Sequence, residues 1–168
     1  FTDLSTVGIF RIGKRLVEPI TYIITVLTPL VQNQLSKESI KVNFSELIKN
    51  LLLPLSTIIV ITYVLFGENL INLISGSEFL DAYEPMLVLI IGYIIYLNTF
   101  WIRQMLLFSN LIQFHAFSRL ISLAVFVAGS FLFVVQFGAV GIAIATSMSM
   151  IAQKMYEFYA FNKYTKQN

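Results

Sequence analysis

The chain has 168 residues, 57% of them hydrophobic and 12% charged, with a mean hydropathy of +0.80. That composition excludes a disordered chain and argues against a soluble globule; its repeated apolar runs point to an integral membrane protein. A formal net charge of +2 is too small to imply a nucleic-acid partner. The lack of cysteine excludes a disulfide framework and thiolate metal sites, but names no compartment. The sequence begins with Phe1 and carries no charged n-region followed by a small-residue cleavage site. It therefore reads as a piece of a longer protein without a signal peptide.

In chain order, the first apolar run is Leu16 to Gln34, with Pro19 and Pro29 inside it. Prolines are tolerated in membrane helices and predict bends. Just before and into it lie Arg11, Lys14, Arg15 and Glu18. Their i, i+3, i+4, i+7 spacing puts them on one helical stripe. A cation at the centre of a bilayer helix costs roughly 2.5–3.5 kcal/mol on insertion scales. The stripe is therefore expected at an interface or facing a watery cavity.

Ser36 to Asn50 is polar and Lys-rich, with a weak apolar stripe at Ile40, Phe44, Leu47 and Ile48. It reads as a connector with a short interfacial helix. The second span, Leu51 to Phe66, starts with Pro54 in its first turn, where a missing N–H matters least. A full crossing needs about 20 residues, so it is expected to extend, with Leu70 to Ile74 as one source of added length. Gly76 to Glu84 reads as a loop with acids and no base. The third span is Pro85 to Leu107, with Tyr93, Tyr96 and Trp101 as candidate interface anchors. The fourth is Arg119 to Gln136, and the fifth is Ala139 to Phe158, followed by a basic tail. Gly138, Gly141, Ala143 and Ala145 suit close helix packing. The expected fold is an all-α integral membrane protein, an antiparallel bundle of about five spans forming a single domain over residues 1–168.

Alternating loops put Lys37, Lys41, Lys49, Arg103, Arg119, Lys154, Lys163 and Lys166 on one side. Only Arg11, Lys14 and Arg15 fall on the other, together with the Glu78-Asp81-Glu84 loop. The positive-inside rule makes the first side cytoplasmic, so the chain starts outside and ends inside. The opening stripe is the exception to the rule, and such exceptions mark candidate functional sites.

Three stretches resemble a known family. Val7 to Leu16, VGIFRIGKRL, looks like a Val-Gly-x-aromatic-x-x-Ala-x-Arg-Leu helix entry, with Gly13 where Ala is usual. Leu73 to Leu89 is similar to a Gly-x-Glu-Phe-x-x-Ala loop through Gly76, Glu78, Phe79 and Ala82. Phe137 to Ser149 resembles the opening of a last helix. In this order and spacing they resemble the C-terminal half of the polysaccharide-biosynthesis, O-antigen-type (Wzx-like) flippases. These belong to the superfamily that includes the multidrug and toxin extrusion transporters and the peptidoglycan-precursor flippases. The resemblance implies a two-bundle, extrusion-transporter-like fold of which this chain is the C-terminal bundle, completed by an N-terminal half of the same transporter. It also implies alternating access around a cation-lined cavity in the cytoplasmic membrane. The cargo would be a polyprenyl-diphosphate-linked oligosaccharide, such as an O-antigen, capsule or exopolysaccharide repeat unit. No catalysis and no cofactor are implied; the partners are the lipid-linked substrate and membrane lipids.

On this reading Arg11, Lys14 and Arg15 form a cavity wall that binds a diphosphate or acidic sugars, Arg bidentately and Lys as a point charge. Arg15 falls on the family's Arg; Arg11 and Lys14 match no family position. Glu18 would tune that field or take part in ion coupling. The plain alternative is snorkelling into the outer headgroups. Thr146, Ser149, Gln153 and Tyr156 share a face that either lines the cavity or bonds to a neighbouring helix. His115, near Gln113, Ser118, Arg119 and Ser122, either lines a path or is a solvated helix end. Glu78 and Asp81 suit a solvated turn or cap better than paired carboxylates. Asn98 and Arg103 suit lipid headgroups or ordinary positive-inside anchoring. A cation-coupled drug exporter would call for an acidic, aromatic cavity, and only Glu18 offers an acid near a membrane face. A membrane enzyme would need buried acids or a His in a defined site, for which only isolated candidates exist. An accessory or structural membrane subunit stays open.

Overall fold

The computed structural model describes residues 4–36 and 48–165. Among these the chain is helical almost throughout, with no strand. The elements are α1 (Leu4–Val17) and α2 (Pro19–Ser36), then α3 (Leu53–Ser75), entered through one π-helical turn (Ile48–Leu52). A 3₁₀ segment (Ser77–Ala82), α4 (Tyr83–Phe108) and α5 (Ile112–Thr165) complete it. The connector expected around residues 37–47, with Lys37 and Lys41, and the end of the basic tail with Lys166 lie outside the described residues.

Among the described residues three helical stretches are long and apolar enough to cross a membrane: Asn50–Ser75, Ser77–Phe108 and Ile112–Lys163. The first expected span is not among them: Pro19 breaks it, and α2 beyond the break ends in the polar Gln32-Asn33-Gln34 run. Proline has no N–H to offer the Arg15 carbonyl. The ladder therefore ends with Glu18 N donating to Lys14 O (3.0 Å) and resumes with Thr21 N donating to Glu18 O (2.8 Å). Pro29, by contrast, sits inside a continuous α2. The second span does lengthen as expected: Gly67, Glu68 and Asn69 are helical, and α3 runs on to Ser75 before Gly76 (φ 98°) ends it. The α4–α5 turn has Asn110 in the left-handed region (φ 56°). There Leu111 N donates to Leu106 O (2.9 Å), a form of helix end that Asn tolerates.

α5 is a helical hairpin. At Gly138 the backbone leaves the helix (φ 53°, ψ −123°), a conformation costly for any residue with a Cβ. The following arm then runs back along the preceding one. A Cβ on Gly141 would collide with the Phe133 carbonyl, and one on Gly129 would lie 3.2 Å from the Ala145 Cβ. Farther down, Phe117 meets Tyr156 (ring centroids 5.6 Å apart) and His115 meets Glu157. Small residues at 129, 141 and 145 let the two backbones approach, as is usual at membrane helix crossings.

α4 is the central helix, packed by α1, α2, α3 and α5. Its Met86, Leu89, Ile90, Tyr93, Leu97 and Phe100 are buried with Val17, Ile20, Ile24 and Val31 of α1–α2, Ile71 of α3 and Ala143 of α5. The bent α1–α2 rod runs parallel to α4. Gly13 abuts Ala82 O and Met86 N at one end, and Gln32 Nε2 donates to Gln104 Oε1 (3.0 Å) at the other. Polar cross-helix bonds add to this: Asn98 Nδ2 to Ser56 Oγ (2.8 Å) and Ser147 Oγ to the Val88 carbonyl (2.9 Å). In a membrane such bonds contribute about 0.6–2 kcal/mol each. On the opposite surface Leu120, Leu123, Val127, Phe131 and Val135 of α5 are exposed, as suits a face toward lipid tails.

The two ends of the molecule differ. One holds the Gly138 turn, the start of α1 (Thr6 lies where a Cβ on Gly138 would meet it at 3.6 Å) and the 3₁₀ segment with the exposed Glu78 and Asp81. The other holds the Gln32–Gln104 bond and the His115–Glu157 contact.

Candidate functional site

The charged stripe lies at the Gly138 end. The inner face of α1 carries the buried Gly13 and Val17, which turns Arg11 and Arg15 outward and leaves Lys14 and Glu18 half-buried. Of the four, Arg15 lines a hollow of about 410 Å³ between the α1–α2 bend and α3. Its other walls are Ile12, Leu16, Pro19, Tyr63, Leu70, Ile74 and Ser75, so among the described residues Arg15 is the only charge there. The bend itself is tied to α3, because the Tyr63 hydroxyl donates to the Leu16 carbonyl (2.6 Å). Arg11, Lys14 and Glu18 are not in that lining. Chemically the hollow offers one bidentate donor on an otherwise mostly apolar wall, an arrangement suited to an anionic group carried on an apolar body.

A second polar site lies at the opposite end, between the two arms of α5. Glu157 is fully buried and accepts four hydrogen bonds. Lys154 Nζ donates to Oε2 (2.7 Å). Gln153 Nε2 (3.0 Å) and Ser118 Oγ (3.0 Å) meet Oε1, as does His115 Nδ1 (2.8 Å). The Ser118 hydroxyl also lies 2.7 Å from the His115 carbonyl, so its one proton is shared or alternates between the two acceptors. Lys154 is itself 3% exposed and sits 4.4 Å over the Tyr96 ring of α4, a cation–π contact that is strong where water is excluded. A buried carboxylate is tolerated only when paired and hydrogen-bonded. Here the second arm supplies Gln153, Lys154 and Glu157 and the first arm supplies His115 and Ser118. The site therefore fastens the hairpin's open end through a carboxylate, an ammonium and an imidazole.

Of the residues that sequence reasoning grouped on the last helix face, Gln153 belongs to this site. Thr146 and Ser149 do not: their hydroxyls donate to their own helix, at Ile142 O (2.8 Å) and Thr146 O (2.7 Å). The serine that crosses to a neighbour is Ser147. His115 is not a solvated helix end but Glu157's partner. Glu157 and Lys154 were missed as site residues. Their signal was an acid inside the last apolar run, with Gln and Lys four and three residues before it. Tyr93 is buried rather than interfacial, whereas Trp101 donates its Nε1–H to Asn98 O (3.1 Å). Among the described residues no group of His, Cys, Asp and Glu is arranged to hold a metal ion.

No protein-family model, characterised protein or solved structure matches the chain. The fold and the two polar sites define an all-helical protein with membrane-length helices.

Proposed function

We propose that this chain is the C-terminal bundle of a membrane transporter that carries a polyprenyl-diphosphate-linked oligosaccharide across the cytoplasmic membrane by alternating access. The bent α1–α2 rod, α3, α4 and the two arms of α5 would make about five crossings in an extrusion-transporter-like half. The start of α1 would lie outside and the end of α5 inside; the facing half would come from the rest of the protein. The observation that carries the reading is Arg15, at the position where the resemblance calls for Arg, as the sole charge among the described residues of an otherwise mostly apolar hollow beside a helix bend. A diphosphate on a long apolar tail matches a bidentate cation set in apolar walls. A drug exporter for cationic solutes is less well supported, since no acid lines that hollow and the deeply buried Glu157 is already neutralised by Lys154.

The test is Arg11→Ala, Lys14→Ala and Arg15→Ala, singly and together, in the full-length protein. Surface display of the lipid-linked glycan is assayed at matched membrane abundance. Arg15→Ala alone is expected to remove most display and the triple variant all of it. Normal display from the triple variant would reduce the stripe to a headgroup anchor and remove the support for this function.

A further inference from the structure

Arg103 is used by neither site. It projects from α4 two residues beyond Trp101, at the end of the molecule where Gln32 meets Gln104. Among the described residues it forms no ion pair, and its Nε is sealed from solvent without a hydrogen-bond partner. An unmet buried donor is costly, more so on a charged group. Next to it is a hollow of about 470 Å³ between α2 and α4, lined by Thr21, Ile24, Thr25, Thr28, Pro29, Tyr96 and Arg103 itself.

The walls have a definite chemistry. Thr21, Thr25 and Thr28 recur at i, i+4 and i+7, so one face of α2 presents three hydroxyls. Each now donates to its own helix, at Glu18 O (2.6 Å), Thr21 O (2.9 Å) and Ile24 O (2.7 Å). Rotation about each C–O bond frees that proton for a ligand. Ile24, Pro29 and the Tyr96 ring supply the apolar remainder. The lining holds no acid. Lys154 lies against the Tyr96 ring, and Arg103 and Arg119 are both within electrostatic reach of His115. The Lys154–Glu157 pair beside it is neutralised within itself, and Glu18 stands one turn before Thr21 on the way into α2. Among the described lining residues Arg103 is the only charge, so an anion entering the hollow meets a guanidinium and no carboxylate.

We infer that this hollow between α2 and α4 binds the phosphate group of a membrane lipid, held by the Arg103 guanidinium and the α2 threonine hydroxyls. A turn of the Arg103 side chain into the space brings Nε and a terminal nitrogen to two phosphate oxygens, the bidentate geometry that Arg favours. The acyl chains would leave between α2 and α4 over Ile24 and Pro29. The site is separate from the Arg15 hollow and does not depend on which solute the transporter moves.

The experiment is native mass spectrometry of the full-length protein in detergent, titrated with phosphatidylglycerol, with diacylglycerol as the phosphate-free control. The wild type is expected to retain phosphatidylglycerol over diacylglycerol. Arg103→Gln should weaken phosphatidylglycerol binding about tenfold or more, as for loss of charge-assisted bonds. Arg103→Lys should weaken it less, and Thr25→Val with Thr28→Val about threefold. Displacement of the lipid by inorganic phosphate would assign the affinity to the phosphate alone; resistance to displacement would assign it to phosphate and tail together. Either result supports the site. Equal retention of diacylglycerol, or wild-type affinity in both the Arg103→Gln and the threonine variants, would overturn it. If Arg103→Gln does not fold, the threonine pair decides. Arg15→Ala should retain the lipid, so loss of this inference and loss of the transport reading are separable.

Discussion

At the scale of single residues, the energetics centre on Glu157. Its charge and that of Lys154 come out of water together, and their attraction offsets desolvation only because Gln153, Ser118 and His115 complete the shell. Removing one partner leaves a charge in apolar surroundings; removing both charges leaves none. Glu157→Gln, which strands the Lys154 ammonium, is expected to cost roughly 3–5 kcal/mol of folding stability. Lys154→Met is expected to cost a similar amount. The double variant should cost clearly less than the sum, because the Gln carbonyl still accepts from Ser118 and Gln153. Denaturant titration of the purified protein in mixed micelles measures all three, and strictly additive losses would show that the pair is not coupled.

At the scale of elements, the two breaks in the helical ladder have different causes. Pro19 lacks a donor and frees the carbonyls around it, one of which Tyr63 then caps from α3. Gly138 needs a backbone conformation that L side chains avoid, and Gly141 needs to lack a side chain because the Phe133 backbone occupies that space. Gly138→Ala is expected to destabilise the hairpin by about 1–3 kcal/mol while leaving α3 and α4 intact. Thermal unfolding of the detergent-solubilised variant checks this; an unchanged midpoint would mean the turn tolerates a Cβ and owes its shape to the arms alone. The effect should exceed that of Gly129→Ala, which keeps a helical backbone and brings a Cβ to 3.2 Å from the Ala145 Cβ and 3.3 Å from its Cα.

At the scale of the whole molecule, the arrangement has one end rich in backbone turns and exposed acids and the other rich in buried polar contacts and cations. The proposed orientation puts the second end in the cytoplasm, consistent with Arg103, Arg119, Lys154 and Lys163 gathering there. This sequence holds no cysteine, so in a full-length protein cleared of any other cysteines this orientation is measurable. A single cysteine at Ser77 should react with a membrane-impermeant maleimide in intact cells, and one at Gln113, exposed on the opposite end, only after permeabilisation. The reverse pattern would invert the topology and, with it, the side from which the Arg15 hollow opens.

Much of the architecture follows from local properties. The apolar runs behind α3, α4 and α5, the bend at Pro19 and the break between Gln136 and Ala139 are legible because hydropathy and backbone freedom belong to each residue and its immediate neighbours. The charged stripe is legible too, as a spacing. What the sequence by itself could not determine is which groups meet. His115 and Ser118 are some forty positions from Glu157 along the chain and touch it only because the hairpin closes in one register. Arg15, rather than its stripe neighbours, faces a hollow because Gly13 and Val17 rotate α1 against α4. Thr146 and Ser149 turn back on their own carbonyls while Ser147, between them, crosses to Val88. In each case the partner of a polar group depends on the register and rotation of a packed helix. Tertiary contacts decide both, since an isolated helix in lipid has no preferred neighbour.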